Sequence, residues 1–129
     1  MKVQMIQGSI ETQQADAVVE IIERSKDMSA GQAGIMEEKD GPYRYRILVV
    51  GPRWKNGMSG EDEVIRDCYW NALRLAVHYQ CKTIVFPLIT GGNAGYDVTE
   101  AKKLLDQAVE KFITVQDLEI MVVMPEGAA

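Results

Sequence analysis

The feature that most constrains the fold is an unbroken apolar run, Thr83 to Ile89, that leads directly into a glycine-rich segment. Its β-branched residues are typical of a central strand that is buried on both faces. The segment Thr90 to Tyr96 follows it. Asp97 can then cap a helix, because Glu100 three residues later completes a capping-box-like pattern. A strand, a loop and a helix in this order predict an α/β domain with a mostly parallel sheet.

The rest of the chain agrees with this class. The other predicted elements are four strands and one amphipathic helix, at Val3–Ile6, Ala17–Ile22, Tyr45–Val50, Leu118–Val123 and Gly60–Tyr79. Residues 23 to 43 give the weakest secondary-structure signal in the sequence. Within them Asp40-Gly41 is a hairpin signal, so we expect the segment 34–39 to pair with the strand that follows it.

Composition narrows the class of protein. A chain of 129 residues with 47% apolar residues suits a single domain over residues 1–129. A net charge of -5 disfavours nucleic acid as a partner, because binding to phosphate backbones needs clustered Lys and Arg.

No run approaches the about 20 apolar residues that cross a bilayer, and no signal core begins the chain, so we expect a cytoplasmic protein without membrane contact. Cys68 and Cys81 stand too far apart for a CxxC motif, so we expect reduced core thiols, no metal and no cofactor.

The glycine-rich loop is the first candidate ligand site. Its residues are Thr90, Gly91, Gly92, Asn93, Ala94, Gly95 and Tyr96. Its glycines let the backbone approach a ligand and turn several N–H groups the same way, and the following helix start favours an anion such as a diphosphate. A turn that only reverses the chain explains the loop equally well. Gly8-Ser9-Ile10 is a second strand-end turn with a hydroxyl and N–H groups.

Three motifs, in their order and spacing, closely resemble the macro domain family. They are Val50-Gly51-Pro52-Arg53-Trp54, Cys68-Tyr69-x-Asn71-x-Leu73-x-x-Ala76, and Phe86-Pro87-Leu88-Ile89-Thr90 with Gly92 and Gly95-Tyr96 after it. The likeness covers about the last two thirds of the chain. The resemblance implies a three-layer α/β/α fold with a mixed, mostly parallel sheet. It also implies binding of ADP-ribose or a related nucleotide, which some members hydrolyse from proteins or deacetylate as O-acetyl-ADP-ribose.

Departures from the family pattern fall on the pocket. The family has an aspartate that contacts adenine where this chain has Ser9. An Asn-Ala-Ala-Asn string that faces the distal ribose is replaced by Glu20-Ile21-Ile22-Glu23. The long glycine-rich loop and helix that should follow are at most represented by residues 29–34. We therefore expect a fold that is reduced between strands 2 and 3, and Glu20 would be unfavourable beside a diphosphate unless protonated or turned away.

Three functions are compatible with these residues, and we rank them in the following order. The first is a module that binds ADP-ribose or a related nucleotide diphosphate through loop 90–96, with Gly8, Ser9, Ile10 and Glu20 as further ligand-binding residues. The second is a degenerate macro domain that acts as a protein-interaction module, for which a homo-oligomer stays open. The third is an ADP-ribosyl or O-acetyl-ADP-ribose hydrolase. It is disfavoured because the positions that would orient the distal ribose and the attacking water are missing, so no catalytic residue is predicted.

Overall fold

The computed structural model describes residues 2–7, 15–22, 25–39, 41–51, 60–87, 98–111 and 118–124. The elements in these ranges are β1 (Lys2–Gln7), β2 (Ala15–Ile22), β3 (Ala33–Glu37), β4 (Tyr43–Val50), α1 (Glu61–His78), β5 (Thr83–Pro87), α2 (Val98–Lys111) and β6 (Glu119–Met124). Each predicted strand and helix is confirmed within a few residues of its expected bounds. The predicted continuation of β5 through Leu88 and Ile89, and the proposed cap Asp97, lie outside the described residues.

The strands form one sheet in the order β1-β6-β5-β2-β4-β3. Every neighbouring pair is parallel except β3 and β4, which are antiparallel with Ile35 opposite Ile47. The mixed, mostly parallel sheet is therefore confirmed, and so is the expected pairing of the segment before Asp40-Gly41 with the strand after it. Asp40 itself lies outside the described residues.

Asp16 fixes the beginnings of β2 and β5 beside each other. Its carboxylate accepts hydrogen bonds from the backbone N–H groups of Lys82 and Thr83, at 2.7 and 3.3 Å. Its own N–H donates to the Thr83 hydroxyl at 2.8 Å. Parallel strands cannot be joined by a hairpin, so such side-chain contacts help to set their relative register.

The connection between β2 and β3 is short, as expected from the sequence. Its described part, residues 25–32, contains a turn and no helix. Gly31 takes a φ of 89° there, and its N–H donates to the Val50 carbonyl at 2.8 Å. Asn71 of α1 donates from its side-chain amide to the Gly31 carbonyl at 2.7 Å. The turn is thus tied both to the end of β4 and to the first helix.

The two faces of the sheet are packed differently. On one face, here called the first face, both helices cover the strands in one large apolar core. Its largest fully buried side chains include Tyr69, Phe86, Ile47, Ile65, Leu73, Ile84 and Leu105. On the opposite or second face, Val18, Tyr43, Val85 and Val123 form a smaller cluster without a residue of either helix. The third layer that the family resemblance implied is not built by the described ranges.

Candidate functional site

Ten of the eleven predicted ligand-binding residues belong to parts of the chain that the structure does not describe. Gly8, Ser9, Ile10, Thr90, Gly91, Gly92, Asn93, Ala94, Gly95 and Tyr96 all lie outside the described residues. Glu20 is described, and it lies on β2. The assignment of these residues to a ligand site stays a prediction.

The described ends of β2 and β5 lie at one edge of the sheet. Because β2 and β5 are parallel neighbours, their carboxyl ends at Ile22 and Pro87 meet at the same edge of the sheet. The segment 88–97, which follows β5 in the sequence, lies outside the described residues. In open α/β sheets, ligands bind outside the carboxyl ends of the strands, where loops converge.

A cavity of about 340 Å³ runs along β2 and reaches this edge. Its described lining residues are Val18, Val19, Glu20, Ile21, Tyr43, Arg46 and Pro87. Small-molecule sites in proteins have volumes of about 300 to 1,000 Å³ and are mostly apolar with a few placed polar groups. The cavity therefore has the size and lining of a ligand site, with Glu20 and Arg46 as its charged groups.

Arg46 links two glutamates across three strands of the second face. Its Nη1 donates to Oε2 of Glu20 at 3.4 Å, and its Nε donates to Oε1 of Glu38, just beyond β3. The side chains of Arg46 and Glu20 are 33% and 50% exposed, so solvent and solutes reach the pair. The hydrogen bond that Arg46 donates to Glu38 raises the pKa of Arg46 above its usual value, against the opposing effect of burial.

This arrangement changes the expectation for Glu20. A lone carboxylate would repel a diphosphate, but Glu20 is paired with a guanidinium that stays protonated. Among the described residues, the two glutamates and the arginine together carry a formal net charge of -1 beside the cavity. Sequence reasoning missed Arg46. In the alternation that begins at Tyr45, Arg46 lies opposite the buried Tyr45, Ile47 and Val49. Only the pairing of β4 with β2 brings Arg46 to Glu20.

The two cysteines are buried and contribute to core packing. Cys68 is buried, its thiol donates to the Val50 carbonyl at 3.2 Å, and burial raises its pKa to about 12. Burial also raises the pKa of Cys81. Both cysteines are free thiols. In the ranges that the structure covers, no group of His, Cys, Asp and Glu side chains could hold a metal ion.

A membrane-spanning helix is not found among the described elements, since α1 and α2 lack the necessary combination of length and apolar character.

Comparison with known proteins identifies the fold. The Macro domain family matches residues 4–105. A macro domain-containing protein of Methanosarcina mazei is 32% identical over 113 residues, which are 88% of this chain and 60% of the relative. The O-acetyl-ADP-ribose deacetylase of Escherichia coli K12 is 32% identical over 99 residues, or 77% of this chain and 56% of that enzyme. The chain thus spans less than two thirds of the length of either relative.

Solved structures agree with the sequence relatives. A variant of the Oceanobacillus iheyensis macrodomain, determined with ADPR, superposes with a TM-score of 0.77 at 21% identity, covering 93% of this chain and 83% of that one. The same macrodomain with ADP gives a TM-score of 0.80 at 21% identity and covers 95% of this chain and 83% of its own. At this level of identity, the likeness establishes the fold.

Proposed function

The chain belongs to the macro domain family, and we propose that it is a binding module for ADP-ribose or a related nucleotide diphosphate. The ligand would lie at the carboxyl edge of β2 and β5, with its diphosphate against the backbone of loop 90–96. Glu20, Gly8, Ser9 and Ile10 would complete the site. The observation that carries the proposal is the cavity of about 340 Å³ that reaches this edge in a fold whose solved relatives include complexes with ADP and ADPR.

The ion pair between Glu20 and Arg46 lowers the electrostatic cost of placing a nucleotide at this edge. Arg46 offsets the charge of Glu20, which the sequence alone made an obstacle to a diphosphate. A glycine-rich backbone at a helix start can bind phosphate through N–H groups without any lysine, so the acidic net charge of the chain is no objection.

We further propose that the module does not hydrolyse its ligand. The E. coli relative is named a deacetylase, but this chain departs from the family at positions that the resemblance ties to that chemistry. Between β2 and β3 the described residues 25–32 hold a turn where the family resemblance implied a long loop and a helix with catalytic residues. A carboxylate at position 20 also replaces the amide that would face the distal ribose.

Isothermal titration with ADP-ribose tests the binding. We expect saturable binding that is abolished by Gly92→Val or Gly95→Val, because a side chain there would block the backbone from the diphosphate. Ligand at 100 times its Kd should add about 2.7 kcal/mol to the stability, which thermal unfolding would detect.

Gly60→Ala is the control for an unspecific loss of stability. Gly60 has a φ of 86°, so a side chain is strained there, but an added Cβ meets nothing within 4 Å. This variant should bind normally. Absence of binding at millimolar ADP-ribose by the folded protein would contradict the proposal and favour a protein-interaction module. Release of ADP-ribose from a modified protein would contradict the absence of hydrolysis.

A further inference from the structure

We propose that β3 pairs with β3 of a second copy of this chain, so that the sheet continues from one molecule into the other. The two strands would run antiparallel about a twofold axis at Ile35, and each would present the same surface to the other. This pairing uses the backbone of β3 and needs no ligand, so it stands or falls independently of the proposed function.

Strand β3 lies at the end of the sheet and lacks the residues that usually protect such a strand. Among the described strands, β4 is its one neighbour. Edge strands commonly carry lysine or proline, which oppose pairing with another chain. Strand β3 reads Ala-Gly-Ile-Met-Glu and contains neither, whereas β1 at the other edge begins with Lys2. Met36 is 50% exposed, and Glu37 is exposed as well. The edge is therefore open to a further strand.

The hydrogen bonds between β3 and β4 determine which backbone groups face outwards. The Glu38 N–H donates to the Arg44 carbonyl at 2.9 Å, and the Val50 N–H donates to the Gln32 carbonyl at 3.1 Å. In an antiparallel pair, residues that bond to the partner strand alternate with residues whose N–H and C=O groups point away from it. The residues of β3 with outward backbone groups are therefore Ala33, Ile35 and Glu37.

These outward groups are self-complementary. When two copies of β3 run antiparallel with Ile35 opposite Ile35, each outward N–H meets an outward carbonyl, and Ala33 pairs with Glu37 in the same way. A shift by one residue would bring outward groups against residues that already bond to β4. Ile35 is half-buried against the large core, and a second isoleucine beside it would cover it further. The register centred on Ile35 therefore uses the whole strand.

The side chains across this pairing are also compatible. Glu37 would lie opposite Ala33, so the two carboxylates would not face each other directly. Met36 would lie opposite Gly34, where the position of an added Cβ is 3.2 Å from Sδ of Met28. The exposed Met36 would thus be covered by the Gly34 backbone and by a thioether of the second copy. Large residues meet small ones on both faces, and no like charges are opposed.

This self-complementarity identifies a second copy of the chain as the partner. A contact centred on a strand of five residues belongs to the small interfaces, below about 1,200 Å², which are typical of weak association. We therefore expect a dimer that forms as the chain concentration approaches millimolar. Each copy has a net charge of -5, so the experiments are run in about 0.15 M salt to screen the repulsion.

Amide hydrogen exchange, followed by NMR at low and at near-millimolar chain concentration, tests the pairing directly. The N–H groups of Ala33, Ile35 and Glu37 should exchange at least about twofold more slowly once half of the chain is dimeric, because the dimer gives them acceptors. The N–H groups of Gly34 and Met36 bond to β4 in either form. Their exchange is the internal reference and should change less.

Sedimentation velocity of edge variants tests the same contact. Glu37→Pro removes an outward N–H and leaves the bonds of Met36 and Glu38 to β4 in place. It should be monomeric at concentrations where the parent chain is a dimer. Glu37→Gln keeps the N–H and is the matched control, so it should dimerise like the parent. Ile35→Lys would place two like charges directly opposite each other and should also be monomeric. Circular dichroism establishes that each variant is folded.

Several results would overturn the inference. One is a parent chain that sediments as a monomer up to near-millimolar concentration. A second is a dimer whose outward β3 amides stay unprotected or that persists in Glu37→Pro and Ile35→Lys, since another surface would then hold it. A third is protection of those amides in the monomer, which would show that another part of the chain covers the edge. None of these results depends on ADP-ribose, so the proposed function is decided separately.

Discussion

The two faces of the sheet differ in burial and in polarity. The first face is covered by α1 and α2, and Tyr69 and Phe86 are completely buried there in an edge-to-face contact, with ring centroids 5.3 Å apart. On the flank of the second face, Arg46 and Glu20 remain accessible beside the cavity, and Met36 is 50% exposed. Among the described residues, the first face therefore contributes the larger apolar core, and the second face carries the accessible polar groups.

Strand β4 contributes side chains to both faces of the sheet. In β4, Tyr45, Ile47 and Val49 belong to the large core, whereas Arg46 faces the other way. Because successive side chains of a strand point to opposite faces, a substitution can alter one face with little direct effect on the other. The following predictions test how far this separation holds.

The largest effect is expected from Phe86→Ala on the first face. Removal of a fully buried aromatic ring should lower the free energy of unfolding by about 3 to 5 kcal/mol, through lost burial and a cavity. Urea unfolding measures the loss. Met36→Ala on the second face is the matched exposed change and should cost less than about 0.5 kcal/mol. Similar losses of unfolding free energy for the two variants would contradict the conclusion that the first face stabilises the fold more than the second.

The next largest loss of stability is expected at Gly31, in the turn that packs against α1. An alanine there would combine a φ of 89° with a Cβ only 3.1 Å from the Cβ of Asp67. Gly31→Ala should cost about 1 to 2 kcal/mol for the left-handed backbone and about 1 kcal/mol or more for the contact. Gly60→Ala has a φ of 86° and no close neighbour, so it isolates the backbone cost. Equal losses in urea unfolding would show that Gly31 does not pack tightly against α1.

The smallest effect is a pH dependence that arises on the first face. Burial raises the pKa of Cys68 to about 12 in the folded state, while a cysteine in an unfolded chain has a pKa of about 8.5. Above the unfolded pKa the unfolded chain binds fewer protons, so stability falls as pH rises. From about pH 8 to about pH 10 the loss attributable to this thiol should be about 1 to 2 kcal/mol.

Cys68→Ala is the control for this dependence. The variant will be less stable at both pH values, but its loss between them should be smaller than that of the parent chain by the stated amount. An identical loss in the two proteins would mean that the Cys68 thiol is not shielded from solvent by the helix-covered core.

Local patterns allowed the elements of the fold to be predicted. The alternation in β4, the apolar stripe of α1 and the Asp40-Gly41 turn each act over a few residues, which is why the strands, the helix and the hairpin could be located. The extent of β5 was predicted through Ile89, and the described strand reaches Pro87. The candidate site was predicted less fully, because Glu20 was found from its departure from a family motif, whereas Arg46 carried no such signal.

What the sequence by itself determined is the α/β class, the bounds of most elements, the short connection between β2 and β3, and the family. These follow from periodicity and motifs, which are properties of neighbouring residues. Only the tertiary structure decided that both described helices share one face, that β2 lies between β5 and β4, and that Glu20 therefore meets Arg46, 26 positions away. Strand order and register depend on contacts between distant segments, and no local pattern specifies which strand becomes the neighbour of which.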